Sequence, residues 1–136
     1  MQFHLAVKGI IVRRDGKILV VKRSGIDDHK PNVWETVGGG VEEKMPPEKA
    51  LEREIKEEVN LKVKVLNPFN VFSFQKDTGE FKIGITFICR YVSGKVKLSH
   101  EHSDFQWIDP KDFRKLPSVP SLHNEIASYT KEYGKK

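Results

Sequence analysis

The run Gly38-Gly39-Gly40-Val41-Glu42-Glu43, followed downstream by Arg53-Glu54-Ile55-Lys56-Glu57-Glu58-Val59-Asn60-Leu61, constrains this chain more than any other stretch. It reads as a glycine turn leading into a helix that gathers carboxylates on one side. At about 100° of rotation per helical residue, with Arg53 at zero, Glu57 falls at about 40°, Glu54 at about 100° and Glu58 at about 140°. Leu51, Ile55 and Val59 fall at about 160°, 200° and 240°, an apolar stripe beside the acidic arc. Glu54 has Glu57 three residues on and Glu58 four residues on, and like charges at those spacings repel. A divalent cation is the best explanation for a helix that holds them together. The plain alternative is a solvated helix rich in good helix formers. Composition alone favours that alternative; the glycine run and the Arg-Glu-x-x-Glu-Glu order favour the metal.

The rest of the chain reads as one domain spanning residues 1–136, long enough for a hydrophobic core. With 38% apolar and 32% charged residues its composition is that of an ordinary soluble domain. No stretch has the length of a membrane span, and the start lacks a signal-peptide layout. The single cysteine, Cys89, forbids an internal disulfide and fits a reducing cytoplasm. Because Cys89 lies in an apolar run, we expect it in the core. The net charge of +5 permits an anionic partner, a nucleotide or RNA, but the basic residues are scattered from Lys8 to Lys136 and form no recognition block.

Two apolar β-forming runs, Val7 to Val12 and Ile18 to Val21, flank Asp15-Gly16 and predict a hairpin. Ser24 to Asn32 predicts a loop and Val33 to Val37 a short strand leading to the glycines. Pro46 and Pro47 suit the first turn of a helix ending near Val59, with Asn60 as a left-handed cap. Leu61 to Leu66 and Asn70 to Gln75 read as extended, with a turn at Asp77-Thr78-Gly79. Phe81, Ile83, Ile85, Phe87, Cys89 and Tyr91 alternate as one long strand. Ser93-Gly94 turns the chain towards Val96 and Leu98. Trp107-Ile108 predicts a short strand, Pro110 to Lys115 a short helix, and Ser121 to Tyr133 a closing helix. These elements suggest a mixed sheet covered by helices.

Glycines at 38, 39 and 40 allow a tight turn and close backbone approach to a ligand. The helix glutamates offer the hard oxygen ligands that Mg²⁺ or Mn²⁺ prefers. Such ions bridge phosphate oxygens and activate water, so phosphoanhydride hydrolysis is the natural reaction class. No Gly-Lys-Ser/Thr follows the glycines, which excludes a Walker loop, and helical carboxylates do not make a calcium-buffer loop.

Gly39 with Arg53-Glu54-Ile55-x-Glu57-Glu58-x-x-Leu61 resembles the Nudix box, Gly-x5-Glu-x7-Arg-Glu-U-x-Glu-Glu-x-Gly-U with U aliphatic, and the spacing matches throughout. Trp34-Glu35 before the glycines, the hairpin ending in Lys22-Arg23, and Glu101 six residues before Trp107 extend the resemblance to roughly residues 5 to 115. Three box positions differ. Met45 replaces the first glutamate and removes a carboxylate, for which Glu42, Glu43 or Glu48 are the candidate substitutes. Lys44 replaces a common glycine, and Asn60 replaces the late glycine while keeping its capping ability. Val37 replaces a frequent proline before the glycines.

The resemblance implies the Nudix α/β/α sandwich, with a mixed sheet between helices. It also implies a hydrolase acting on phosphoanhydride bonds. Glu54, Glu57 and Glu58 would be metal ligands with the Gly38 carbonyl nearby, and Arg53 would hold a helix glutamate in place. Glu54 is the first choice of general base. Glu101 resembles the loop base or extra ligand of some members, with a solvated loop residue as its equal alternative. His100 and His102 flank Glu101, but without further ligands nearby they read as polar loop histidines and not a zinc site. Arg23 could meet a substrate phosphate or be a surface arginine. Trp34, Phe72 and Phe74 could stack on a base, although strand aromatics are more often core.

The expected reaction is Mg²⁺-dependent (or Mn²⁺-dependent) cleavage of a nucleoside diphosphate linked to another group, foremost a nucleoside triphosphate giving monophosphate and pyrophosphate. An RNA 5′-end pyrophosphohydrolase is one alternative. Another is a nucleotide-sensing module with reduced catalysis, suggested by Met45. We expect no membrane association, and a homodimer through an edge strand or helix would be unsurprising.

Overall fold

The computed structural model describes residues 3–25, 31–42 and 44–134. Strand β1 (Phe3–Val12) turns through Asp15-Gly16 into β2 (Ile18–Arg23), with Val12 opposite Ile18 and Gly16 at φ +86°. The hairpin is the one its sequence predicts. Beyond it come β3 (Trp34–Glu35) and β4 (Val37–Gly40), two pieces where one strand is expected, because β3 pairs with β2 while β4 crosses to pair with β1.

Helix α1 runs from Pro47 to Val59 and ends at Asn60, whose φ of 62° and ψ of 30° place it in the left-handed region. Its N–H bonds back to the Lys56 carbonyl at 3.0 Å, the capping geometry expected of asparagine. Strand β5 (Lys62–Gln75) fuses the two extended pieces read from the sequence. Register shifts between Val65 and Asn67 and between Pro68 and Asn70 carry it past the proline. Pro68 is tolerated because β5 is the last strand of the sheet.

Strand β6 (Phe81–Ser93) is the alternating strand, paired antiparallel to β5 and parallel to β1. The expected short strand at Trp107-Ile108 is the end of a longer one, β7 (His102–Ile108), antiparallel to β2. A 3₁₀ helix (Pro110–Lys115) and helix α2 (Pro120–Tyr133) close the chain. The sheet order is β3-β2-β1-β6-β5, with β4 added on β1 and β7 on β2.

Alternation along the central strands builds two cores. Val7, Ile11, Phe87 and Cys89 face α1 and meet Leu51, Ile55 and Val59. Ile10, Val20, Trp34 and Ile88 face the other way and meet Leu122, Ile126 and Tyr129 of α2. The result is an α/β/α sandwich around a mixed sheet, as anticipated. Cys89 is fully buried, a core residue. Among the described residues no helix is long and apolar enough to cross a membrane.

Candidate active site

Burying the apolar stripe fixes the rotation of α1. Leu51, Ile55 and Val59 are fully enclosed, so Glu54 and Glu57 must project past the edge of β4. The glycines of β4 let the helix approach. A side chain on Gly38 would collide with the backbone carbonyl of Val7 on β1, and one on Gly39 would collide with the Glu54 carboxylate. The glycine run therefore does two jobs: Gly38 seats β4 on β1, and Gly39 leaves room for Glu54.

The cleft that results is lined by Gly38, Gly39, Gly40, Arg53, Glu54, Glu57 and Glu101, and Met45 lines it as well. Glu101, an exposed turn residue, lines this cleft. The chain arrives there because the extended segment after Gly94 bonds to the end of α1, Lys97 N–H to the Val59 carbonyl and Ser99 N–H to the Glu58 carbonyl, both at 3.0 Å.

The electrostatics are those of crowded carboxylates. Burial, and then the charges of Glu58, Glu57, Glu101 and Glu42, push the Glu54 carboxyl up to about 7. Burial and Glu58 raise Glu101 as well. Of the residues considered as substitutes for the carboxylate missing at Met45, Glu42 acts on Glu54 in this way. Glu48 is exposed on α1 and does not line the cleft, and Glu43 lies outside the described residues. Met45 itself packs against the α1-side core.

Arg53 Nε donates to Glu57 Oε1 at 2.9 Å, the contact expected of it. Glu58 is buried behind the cleft wall, its Oε2 accepting from Ser99 Oγ at 2.7 Å. Among the described residues no three carboxylate or imidazole groups already close on one point. The donor chemistry nevertheless fits a hard divalent cation. It consists of carboxylate and backbone oxygens only, with a carboxyl whose proton affinity is raised by burial and then by neighbouring charges that a cation would neutralise. Glu54, Glu57 and Glu58 with the Gly38 carbonyl are the groups that would hold it.

The other residues singled out in the sequence are placed elsewhere. Trp34 is 6% exposed in the α2-side core and offers no face for stacking. Phe72 lies across Gly84, beyond which Phe74 stacks on it at 6.1 Å. Both rings are on the sheet face opposite α1, and Phe74 keeps an exposed side. Arg23 ends β2 with its Nε donating to Glu35 Oε1 at 2.9 Å, outside the carboxylate cleft. His102 corrects the expectation of a polar loop histidine: it begins β7 and is buried. Ser99 and His102 contact Glu58, and Glu35 contacts His102 from its other side; Ser99 carried no signal in the sequence, Glu35 only its pairing with Trp34, and His102 only its place beside Glu101.

The sequence profile of the NUDIX domain matches residues 2–129. A MutT-like protein of Streptomyces ambofaciens is 29% identical over 108 residues, 79% of this chain and 65% of that protein, so the chain spans just under two thirds of its length. The nucleoside triphosphatase NudI of Escherichia coli is 29% identical over 113 residues, 75% of this chain and 79% of that one. The crystal structure of a MutT protein from Methanosarcina mazei Go1 superposes with a TM-score of 0.82, at 23% identity, over 98% of this chain and 96% of its own. With a profile match over nearly its whole length and a carboxylate cleft beside the glycine strand β4, the chain belongs to the Nudix hydrolase family.

Proposed function

We propose that the protein is a divalent-metal-dependent pyrophosphohydrolase that cleaves a phosphoanhydride in a nucleoside diphosphate linked to another group. Its foremost substrate class is the nucleoside triphosphate, released as monophosphate and pyrophosphate. The observation that carries this reading is the cleft in which Glu54, Glu57 and Glu101 line up with the glycines of β4, where burial and then Glu58, Glu57, Glu101 and Glu42 push the Glu54 carboxyl up to about 7. Such a cluster is costly on its own and suits a polyphosphate only when a cation lies between them. The name of the Escherichia coli relative, a nucleoside triphosphatase, supports the substrate class.

Bound Mg²⁺ or Mn²⁺ would supply charge neutralisation at the phosphate oxygens and a more acidic water. The chain's own groups do the rest. Glu54, with its raised proton affinity, is suited to take the proton of the attacking water, and Glu101 stands in the same cleft for that role. Arg53 keeps the Glu57 carboxylate at the cleft mouth. Exposed Phe74, stacked on Phe72, offers a flat apolar surface for a base, and Arg23 a cation for a phosphate, both away from the carboxylates.

The test is release of phosphate or pyrophosphate from a panel of nucleotides with Mg²⁺ and Mn²⁺, for wild type and Glu57→Gln. Turnover of nucleoside triphosphates to monophosphate, abolished in the variant, is the expected result. Tight metal-dependent nucleotide binding without turnover of any substrate would replace the hydrolase with a sensing module and point to Met45.

A further inference from the structure

The contacts around Glu58 continue away from the cleft into a chain of enclosed polar groups. His102, its side chain 6% exposed, has Nε2 2.9 Å from Glu35 Oε2. Burial works to raise the Glu35 carboxyl, but the hydrogen bond from His102 and the Arg23 charge outweigh it and hold the group below its ordinary range. Glu35 is therefore an acceptor, and His102 Nε2 carries the hydrogen. With Nε2 at Glu35, Nδ1 faces the opposite side. There it lies 3.7 Å from Glu58 Oε2 and is buried with no hydrogen-bond partner of its own.

One ring from β7 thus stands between a carboxylate of β3 and a carboxylate of α1. The other oxygen of Glu35 accepts from Arg23 Nε, so the outer end of the chain is pinned from β2. At the inner end Glu58 Oε2 accepts from Ser99 Oγ, and the side chain of Glu101 also shares a hydrogen-bond interaction with Glu58. The imidazole lies against this carboxylate on its other side, Nδ1 facing Oε2. Where Glu58 stands matters, because its charge acts on both Glu54 and Glu101.

We propose that Glu35 and His102 are positioning residues for the carboxylate cluster: Glu35 orients the His102 ring, and the ring braces Glu58 in the place from which it serves the metal site. This rests on the pyrophosphohydrolase reading for the identity of that site. Groups that orient a metal ligand from behind typically alter affinity for the ion by about 10- to 100-fold.

The experiment is Mn²⁺ binding to the full chain without nucleotide, read from the electron paramagnetic resonance signal of the free ion. The amide nitrogen of asparagine can occupy the place of the histidine Nδ1, and that of glutamine the place of Nε2. His102→Ala and His102→Gln should therefore weaken Mn²⁺ binding by about tenfold or more, while His102→Asn stays within about threefold of wild type. Wild-type affinity in all three, equal loss in all three, or loss in the asparagine variant with retention in the glutamine variant would overturn the proposal.

Should the ring variants fail to fold, the Glu35 pair decides. Glu35→Ala should weaken Mn²⁺ binding while Glu35→Gln, which still bonds to the ring, restores most of it; two variants alike overturn the brace. A wild type that binds Mn²⁺ and shows the His102 pattern but turns over no nucleotide removes the hydrolase reading alone. Turnover with an unchanged His102 series removes the brace alone, and a wild type that binds no Mn²⁺ removes both.

Discussion

Gly39 lies so close against Glu54 that a single added methyl group would overlap the carboxylate Oε1. The two residues are fifteen apart in sequence and belong to β4 and α1, so their contact sets how the glycine strand and the acidic helix meet. The atom in the way is the end of a flexible side chain. Glu54 can swing aside at small energetic cost, and the consequence falls on function before stability.

Gly39→Ala should therefore leave the melting temperature close to wild type while turnover falls by roughly a hundredfold, the scale of a displacement of about 1 Å at a reacting group. Gly38→Ala is the contrasting variant. Its methyl meets the Val7 carbonyl and the Lys8 Cα, backbone that cannot swing, so that variant should lose stability first. Parallel thermal melts and pyrophosphate-release assays separate the two. Equal behaviour of the two variants would show that Glu54 does not depend on the room Gly39 provides.

The raised Glu54 carboxyl makes stability depend on pH in a defined direction. Its ordinary value is 4.5 and its value in the folded protein is about 7, so between these limits the folded state binds more protons than the unfolded state. Stability then falls as pH rises across that window, because the slope follows protons bound unfolded minus protons bound folded. In EDTA the melting temperature of wild type should drop from pH 5 to pH 7.5 on the order of several degrees, and Glu54→Gln should flatten the drop. Added Mn²⁺ should raise the curve most at the upper end, where the carboxylates are ionised. A melting temperature in EDTA that rises over the same interval in wild type and variant alike would contradict the crowding of charge on which the site rests.

Arg53 and Glu57 form an exposed pair one helical turn apart, with a 2.9 Å bond and both side chains more than half exposed. Such pairs contribute about 0.5 kcal/mol or less. Arg53→Ala should thus shift the urea midpoint very little while lowering kcat by tenfold or more, on the order expected when a carboxylate is released from its charge-assisted bond. Arg53→Lys keeps the charge and loses the planar fork, and an intermediate rate is expected. Loss of stability in step with loss of activity would make the pair structural.

What could be read in advance, and what could not, divides along physical lines. The helix from Pro47 to Val59, its cap at Asn60 and the strand through Phe81 to Tyr91 were legible because each is written in local chemistry: a proline start, a left-handed asparagine, a period of two. The union of the two β5 pieces was not legible, since register shifts around Pro68 erase the period that would announce a continuous strand. The early start of β7 was hidden for a related reason. Its first residues are mostly exposed and polar, and their strand conformation comes from pairing with β2. The carboxylates of α1 could be assigned from helical geometry alone, but the placement of Trp34 in the core and the meeting of Glu35 with His102, 67 residues apart, are products of tertiary packing that no local pattern encodes.

Asn60 stands where the box motif has glycine, and its backbone explains the exchange. At φ 62° and ψ 30° it occupies the left-handed region that asparagine tolerates and most residues resist by roughly 1–2 kcal/mol. Its side chain adds two exposed contacts, Nδ2 donating to the Lys95 carbonyl at 3.3 Å and Oδ1 accepting from Lys56 Nζ at 3.1 Å. Asn60→Ala loses both the tolerance and the contacts and should cost about 1–2 kcal/mol, seen as a lower urea midpoint with unchanged slope. Asn60→Gly loses the contacts but gains a backbone suited to the conformation, so its stability should lie within about 0.5 kcal/mol of wild type. Neither variant touches the cleft, and both should retain turnover below their melting temperatures. An alanine variant as stable as wild type would mean that the end of α1 does not depend on the left-handed cap, and that the family's glycine at this position serves some other end.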